Sequence, residues 1–160
     1  MFFIRYECVS NSIHDTTLLP NDIDDSISLS SRDVDFSVPF TIRLRASHDL
    51  FSRDFGVLND LFECTDGSSP KVQAWIDSGV IEFSPDKINS IDSLLANSGS
   101  IDYRGFYSTP GGESSKMNKH IIEEMWNSFN SDDLDRRSYV LAIGGGATLD
   151  SVGYAAALAH

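Results

Sequence analysis

The residue pattern with the clearest chemical meaning is a run of three glycines near the end of the chain. Tyr139–Ile143 is a short apolar run, Gly144–Gly146 follows it, and an apolar helix is predicted from about Thr148. Glycines there let the backbone approach a phosphate, and a helix N-terminus offers unpaired N–H groups with partial positive charge. The spacing matches neither GxGxxG nor a P-loop. It predicts a diphosphate-binding turn, with a tight turn that binds no ligand as the alternative.

Three charged residues could complete such a site. Asp150 is expected in the first turn of the last helix, where it can favour the helix dipole or accept a hydrogen bond from a ribose hydroxyl. Glu113 and Lys116 follow a Pro-Gly-Gly turn and are expected to project from the first turn of another helix, Glu113 toward ribose hydroxyls and Lys116 toward a phosphate or carboxylate. Taken alone, Glu113 and Lys116 are more typical of an ordinary capped helix start with an ion pair than of a ligand site.

The elements that must position these residues alternate along the chain. Strands are predicted over 36–45, 71–76, 103–107 and 138–143, and helices over 50–62 with a break at Gly56, from Pro85 to Gly99, over 113–129 and from 148 onward. This order predicts an α/β layered fold with a largely parallel sheet. Asp77 directly follows the strand over 71–76, either as a ligand-facing carboxylate or in a simple Asp-x-Gly turn. All three features are therefore expected along one edge of the sheet.

Composition limits the classes of partner. Twelve basic against 24 acidic residues give a formal charge of -12, which disfavours nucleic acid and anionic membranes. Cys8 and Cys64 form no CxxC pair, and the N-terminus does not resemble a signal peptide, so a reduced, cytoplasmic setting is expected. Residues 1–35 are rich in Ser and Asp and are predicted to form a partly disordered leader or an edge extension before a domain over 36–160.

The segments Pro110–Lys116 and Ala142–Ala157 together resemble the 3-dehydroquinate synthase family of sugar phosphate cyclases. That family carries GGExxK, then GGGxxxD running into a Gly-aromatic-Ala-Ala helix, in the order and at the separation found in this sequence. The resemblance implies the Rossmann-like, NAD-binding N-terminal domain of a homodimeric lyase. Such an enzyme eliminates phosphate and forms a carbocycle from a seven-carbon sugar phosphate. It also implies a divalent metal, zinc or cobalt, in a second domain.

The resemblance also implies which residues bind the cofactor. Gly111, Gly112, Glu113 and Lys116 would line NAD. Its diphosphate would contact Gly145, Gly146, Ala147 and Thr148. Asp150 would face the ribose region, and Asp77 the adenosine side.

Two departures from the family pattern shape the expectation. Leu149 stands where dehydroquinate synthases usually carry Gly, which points to a side branch or to valiolone-type cyclases. No metal set is expected among the four histidines, His14, His48, His120 and His160. The chain is therefore expected to lack the metal-binding catalytic domain and to be inactive alone. An NAD domain of the iron-dependent alcohol or glycerol dehydrogenase type and a non-catalytic nucleotide-binding fragment are the alternatives.

Overall fold

A computed structural model describes residues 3–4, 43–63, 67–113, 116 and 118–159. These residues belong to one compact unit. The predicted leader over 1–35 lies outside the described residues apart from the backbone of 3–4, so that prediction and the domain boundary at 36 stay predictions.

The centre of the fold is a sheet with the strand order β1-β4-β2-β3. Its strands are β1 (Phe3–Ile4), β2 (Lys71–Asp77), β3 (Asp102–Thr109) and β4 (Tyr139–Ile143). β2 pairs in parallel with both β3 and β4, whereas the two-residue β1 runs antiparallel to β4. The register of β2 with β3 shifts after Val72, and Gly105 takes up this bulge with a φ of 92°.

Helices cover both faces of this sheet. They are α1 (Phe55–Asn59), α2 (Ser78–Phe83), α3 (Pro85–Ala96), α4 (Lys119–Ser131) and α5 (Gly146–Leu158). One apolar core joins α1 and α3 to alternate residues of β2 and β4, and it includes Leu58, Ile91, Ile76 and Leu141. A second core on the opposite face packs α4 and α5 against the sheet, and it includes Met125 of α4, Val152 of α5 and Trp75 of β2. The predicted α/β, Rossmann-like class with a largely parallel sheet is confirmed.

Several predicted element boundaries are wrong. Residues 43–45, the described end of the strand predicted over 36–45, adopt no regular structure. The helix predicted over 50–62 shrinks to the five residues of α1, preceded by turns in which Asp54 N–H donates to the Asp49 carbonyl. α3 ends at Ala96, three residues before Gly99, whose φ of 69° is the predicted left-handed conformation. Sequence reasoning took the start of α2 for a turn, although Asp77 caps its N-terminus.

Candidate functional site at the carboxyl ends of the strands

Asp77 lies at the centre of the site. It is the last residue of β2, and its Oδ1 accepts a hydrogen bond from Gly79 N–H at 2.8 Å, which caps α2. Its Oδ2 accepts a second hydrogen bond, from the Thr148 hydroxyl at 2.9 Å. Because Thr148 belongs to α5, this carboxylate joins the end of β2 to the first turn of the helix that follows β4. Two of the three predicted strand ends therefore meet at one side chain.

Two glycines make this close approach possible. A Cβ on Gly111 would lie 2.5 Å from Asp77 Oδ1 and 2.7 Å from its Cγ. A Cβ on Gly144 would lie 2.9 Å from Asp77 Cβ and 2.9 Å from Thr148 Oγ1. Real Cβ atoms do not approach other atoms this closely, so each position needs a residue without one. Gly111 brings the turn after β3 to Asp77, and all three strand ends therefore converge.

The other two glycines of the triplet have a different environment. Gly145 is the N-cap of α5 and Gly146 is its first residue. A Cβ at either position would meet no atom within 4 Å. The space beside them is open, and their side of the helix carries N–H groups that the helix itself does not use. These are the properties that an approaching anion requires.

A second cluster, next to the one around Asp77, consists of Glu113, Lys116 and Asp150. Lys116 Nζ forms ion pairs with Asp150 Oδ2 at 3.2 Å and with Glu113 Oε1 at 3.2 Å. Hydrogen bonds to the Asp150 and Glu113 carboxylates raise the pKa of Lys116 above its ordinary value. One ammonium is thus shared by two carboxylates, and the group retains a net negative charge. Its carboxylate oxygens are acceptors suited to hydroxyl groups.

The predicted helical setting of these residues is wrong in two respects. Glu113 and Lys116 do not belong to α4, because α4 begins only at Lys119, where Asn118 caps it by accepting His120 N–H at 3.1 Å. They lie instead in a turn closed by Lys116 N–H and the Glu113 carbonyl at 3.2 Å. Asp150 is the fifth residue of α5, since that helix begins at Gly146, and so it lies beyond the first turn. The predicted interaction of Asp150 with the helix dipole is correspondingly reduced.

The structure therefore brings the predicted site residues into two adjoining groups. Gly112 has a φ of 86°, a conformation that favours glycine, and it carries the chain from Gly111 to Glu113. Ala147 and Thr148 are buried, so their side chains pack inside while their backbone remains at the helix start. Sequence reasoning did not assign a role to Gly144 as the contact of Asp77. It also assigned no role to Thr109, the last residue of β3.

Metal ligands are not clustered in the described part of the chain. No group of three or more His, Cys, Asp or Glu residues there is arranged to hold a metal ion. His120 pairs with Glu124 on the surface of α4 at 3.2 Å, and His48 is exposed. His14 and His160 lie outside the described residues. None of the described helices has the length and apolar character needed to cross a membrane.

A comparison with protein families gives one match. The family model described as 3-dehydroquinate synthase N-terminal matches residues 106–160, from within β3 to the end of the chain, about a third of its length. This match confirms the resemblance to the 3-dehydroquinate synthase family. It contains the Gly111–Lys116 turn and the start of α5, but not Asp77. Searches of curated proteins and of solved structures gave no significant match.

Proposed function

We propose that this chain binds NAD at the carboxyl ends of β2, β3 and β4, and the family match over residues 106–160 supports this proposal. It would serve as the nucleotide-binding half of a sugar phosphate cyclase. The observation that carries the proposal is the convergence of the three strand ends on the Asp77 carboxylate. Open α/β sheets bind ligands in the crevice outside the carboxyl ends of their strands.

The diphosphate would bind at the start of α5. Gly145 and Gly146 leave space there, and the first N–H groups of the helix point out of it. A chain with a formal charge of -12 repels anions at long range. Local N–H donors and the helix dipole are therefore the groups that can hold a diphosphate. The Thr148 hydroxyl already donates to Asp77, so Thr148 would contribute its backbone N–H rather than its side chain.

The sugar hydroxyls would bind to the carboxylates. Asp150 and Glu113 are both held by Lys116, which fixes two acceptors in one place. Asp77 lies at the end of the central parallel strand, within reach of a second ribose. A diphosphate flanked by carboxylate acceptors fits a dinucleotide whose riboses carry free hydroxyls.

This chain's share of the chemistry would be binding and orientation. NAD, when bound, supplies reversible hydride transfer, and the protein's contribution to such chemistry is placement and electrostatics. Lys116 would hold Glu113 and Asp150 in alignment through its two ion pairs, and the α5 N-terminus would fix the diphosphate. Cyclisation of a sugar phosphate and its divalent metal belong to the proposed full enzyme. We assign the metal to no residue of this chain.

Isothermal titration calorimetry with NAD tests the proposal. The wild-type chain is expected to bind one NAD, and Lys116→Met and Asp150→Asn are each expected to weaken binding by about tenfold or more, as loss of a charge-assisted hydrogen bond of about 1.5–3 kcal/mol implies. Lys119→Met is the matched control, because Lys119 lies three residues away in an exposed pair with Glu123. Absence of NAD binding by the wild type would contradict the proposal.

A second measurement separates the cyclase from a dehydrogenase. Absorbance at 340 nm reports net NADH. A cyclase returns its NAD unchanged, whereas net NADH formation with a simple alcohol would indicate the iron-dependent dehydrogenase type. We expect no net NADH from this chain with glycerol or ethanol.

A further inference from the structure

Thr109 has a buried hydroxyl without a partner. It is the last residue of β3, and only 1% of its surface is exposed. Its Oγ1 has no hydrogen-bond partner among the residues that the structure describes. Leaving a buried hydroxyl unpaired costs free energy, and a valine of the same shape would fill the space without that cost. The fold therefore gains no stability from this hydroxyl.

Thr109 lies next to Asp77 in the sheet. Thr109 is paired in register with Asp77 across the parallel β2–β3 ladder. Residues paired in this way project from the same face of a sheet, as the stacked rings of Trp75 and Tyr107 show two residues earlier. The unpaired hydroxyl is therefore the neighbour of the Asp77 carboxylate, on the outer side of the site.

The strand order suggests which part of a dinucleotide reaches it. Along the sheet edge, β4 carries the proposed diphosphate site, β2 carries Asp77 and β3 carries Thr109. A nucleotide lying across these ends with its diphosphate at α5 and its ribose at Asp77 extends its base toward β3. A hydroxyl both donates and accepts, so it can pair with the ring nitrogens or the amino group of adenine.

We propose that the Thr109 hydroxyl hydrogen-bonds the adenine end of the bound dinucleotide. Because Thr109 is buried, this contact requires the exposed Pro110 beside it to move when the nucleotide binds. This inference rests on the proposed NAD site and assigns the orientation of the nucleotide along the strand ends: diphosphate at β4, ribose at β2, base at β3.

The experiment compares three ligands that share a diphosphate, of which two carry adenine. Thr109→Val is titrated with ADP, with inorganic diphosphate and with NAD, and its thermal midpoint is recorded. Loss of a net hydrogen bond is expected to weaken ADP and NAD about three- to tenfold. Inorganic diphosphate, which lacks the base, should bind unchanged, and the midpoint should be no lower than that of the wild type. Thr109→Ser should restore affinity. Ser108→Ala, at the preceding exposed position on the other face of β3, is the matched control and should match the wild type.

The outcomes separate this inference from the proposed function. If the wild type fails to bind NAD, the proposed function fails and the inference with it. If the wild type binds NAD but Thr109→Val binds ADP as tightly as the wild type does, the inference is overturned while the NAD site stands. An equal loss for ADP and inorganic diphosphate, or a lowered thermal midpoint, would also overturn it, because either indicates a structural role.

Discussion

The two ends of the parallel sheet use charge in different ways. At the amino ends of the strands, ion pairs join charged residues that lie close in space. Lys71 pairs with Asp133 at 2.6 Å, Arg104 with Asp102 at 2.5 Å, and Arg137 with Asp135 at 3.5 Å. At the carboxyl ends, Lys116 serves two carboxylates at once, and Asp77 accepts only from neutral groups.

The glycines mark the same contrast. At the carboxyl ends, Gly111 and Gly144 let backbone approach Asp77 more closely than any Cβ allows, and Gly145 and Gly146 face open space. At the amino end of β2, Lys71 instead bridges to both the carboxylate and the backbone carbonyl of Asp133, which has a φ of 53°. The difference indicates that the charged groups at the amino ends of the strands stabilise the fold, whereas those at the carboxyl ends include donors and acceptors that a ligand could use.

The largest effect is expected for Gly111→Ala. The added methyl must displace the Asp77 carboxylate, and this breaks its bonds to Gly79 and Thr148. We expect a loss of about 1–3 kcal/mol in the free energy of unfolding together with loss of measurable NAD binding. Urea denaturation and calorimetry would check both.

Gly56→Ala is the control for that substitution. Gly56 lies in α1 with open space around its Cβ position, so alanine there should leave stability unchanged or raise it by up to about 1 kcal/mol. Equal behaviour of the two variants would show that the approach of Gly111 to Asp77 is unimportant.

Gln73→Met is expected to affect stability alone. The Gln73 side chain is fully buried; it accepts from the Trp75 indole at 2.7 Å and donates to Asp132 at 2.5 Å, near the C-terminal end of α4. Methionine leaves the indole N–H unpaired, at a cost of about 1–3 kcal/mol. NAD affinity of the folded variant should equal that of the wild type. A variant that is stable but binds NAD poorly would contradict the assignment of different roles to the two ends of the sheet.

The smallest effect is expected for Lys71→Met, and it depends on pH. The Lys71 ammonium holds the pKa of Asp133 below its ordinary value. A carboxylate whose pKa is lowered by folding stabilises the protein above its unfolded pKa of about 3.9, and this contribution is lost as the pH falls through the folded pKa. Lys71→Met should therefore lower the thermal midpoint slightly at neutral pH and flatten its decline below about pH 4.

NMR titration of the Asp133 carboxyl carbon provides the direct readout. Its pKa should rise toward the ordinary value in Lys71→Met. An unchanged pKa would mean that the amino-end pair does not stabilise the charged form of Asp133.

The sequence predicted the type of each central element better than the residues at which the elements begin and end. The apolar run at β4 and the helical spacing of Ile88, Ile91 and Leu95 identify elements whose packing agrees with their local pattern. The start of α4 was missed because the charges at Glu113 and Lys116 suggested a first turn, whereas the Asn118 side chain caps the helix later. Several neighbouring residues can cap a helix, and residue spacing alone does not show which of them does so.

The location of the site could be predicted from the sequence, but the contacts between its side chains could not. Parallel strands bring Asp77, Gly111 and Gly144 to one edge, and this follows from topology. That Asp77 bonds Thr148, or that Lys116 bridges Glu113 and Asp150, depends on distances between segments far apart in the chain. Thr109 was missed for the same reason, since its unpaired hydroxyl becomes visible only when its neighbours are placed.

Amide chemical shifts during an NAD titration test the central claim most directly. In a ¹⁵N-labelled chain, NAD is expected to shift the amide signals of Gly111, Gly145, Gly146 and Thr148. The amides of Lys71, Asp133 and Arg137, at the opposite end of the sheet, should stay unchanged. Shifts confined to that opposite end, or no shifts at saturating NAD, would contradict a nucleotide site at the carboxyl ends of the strands.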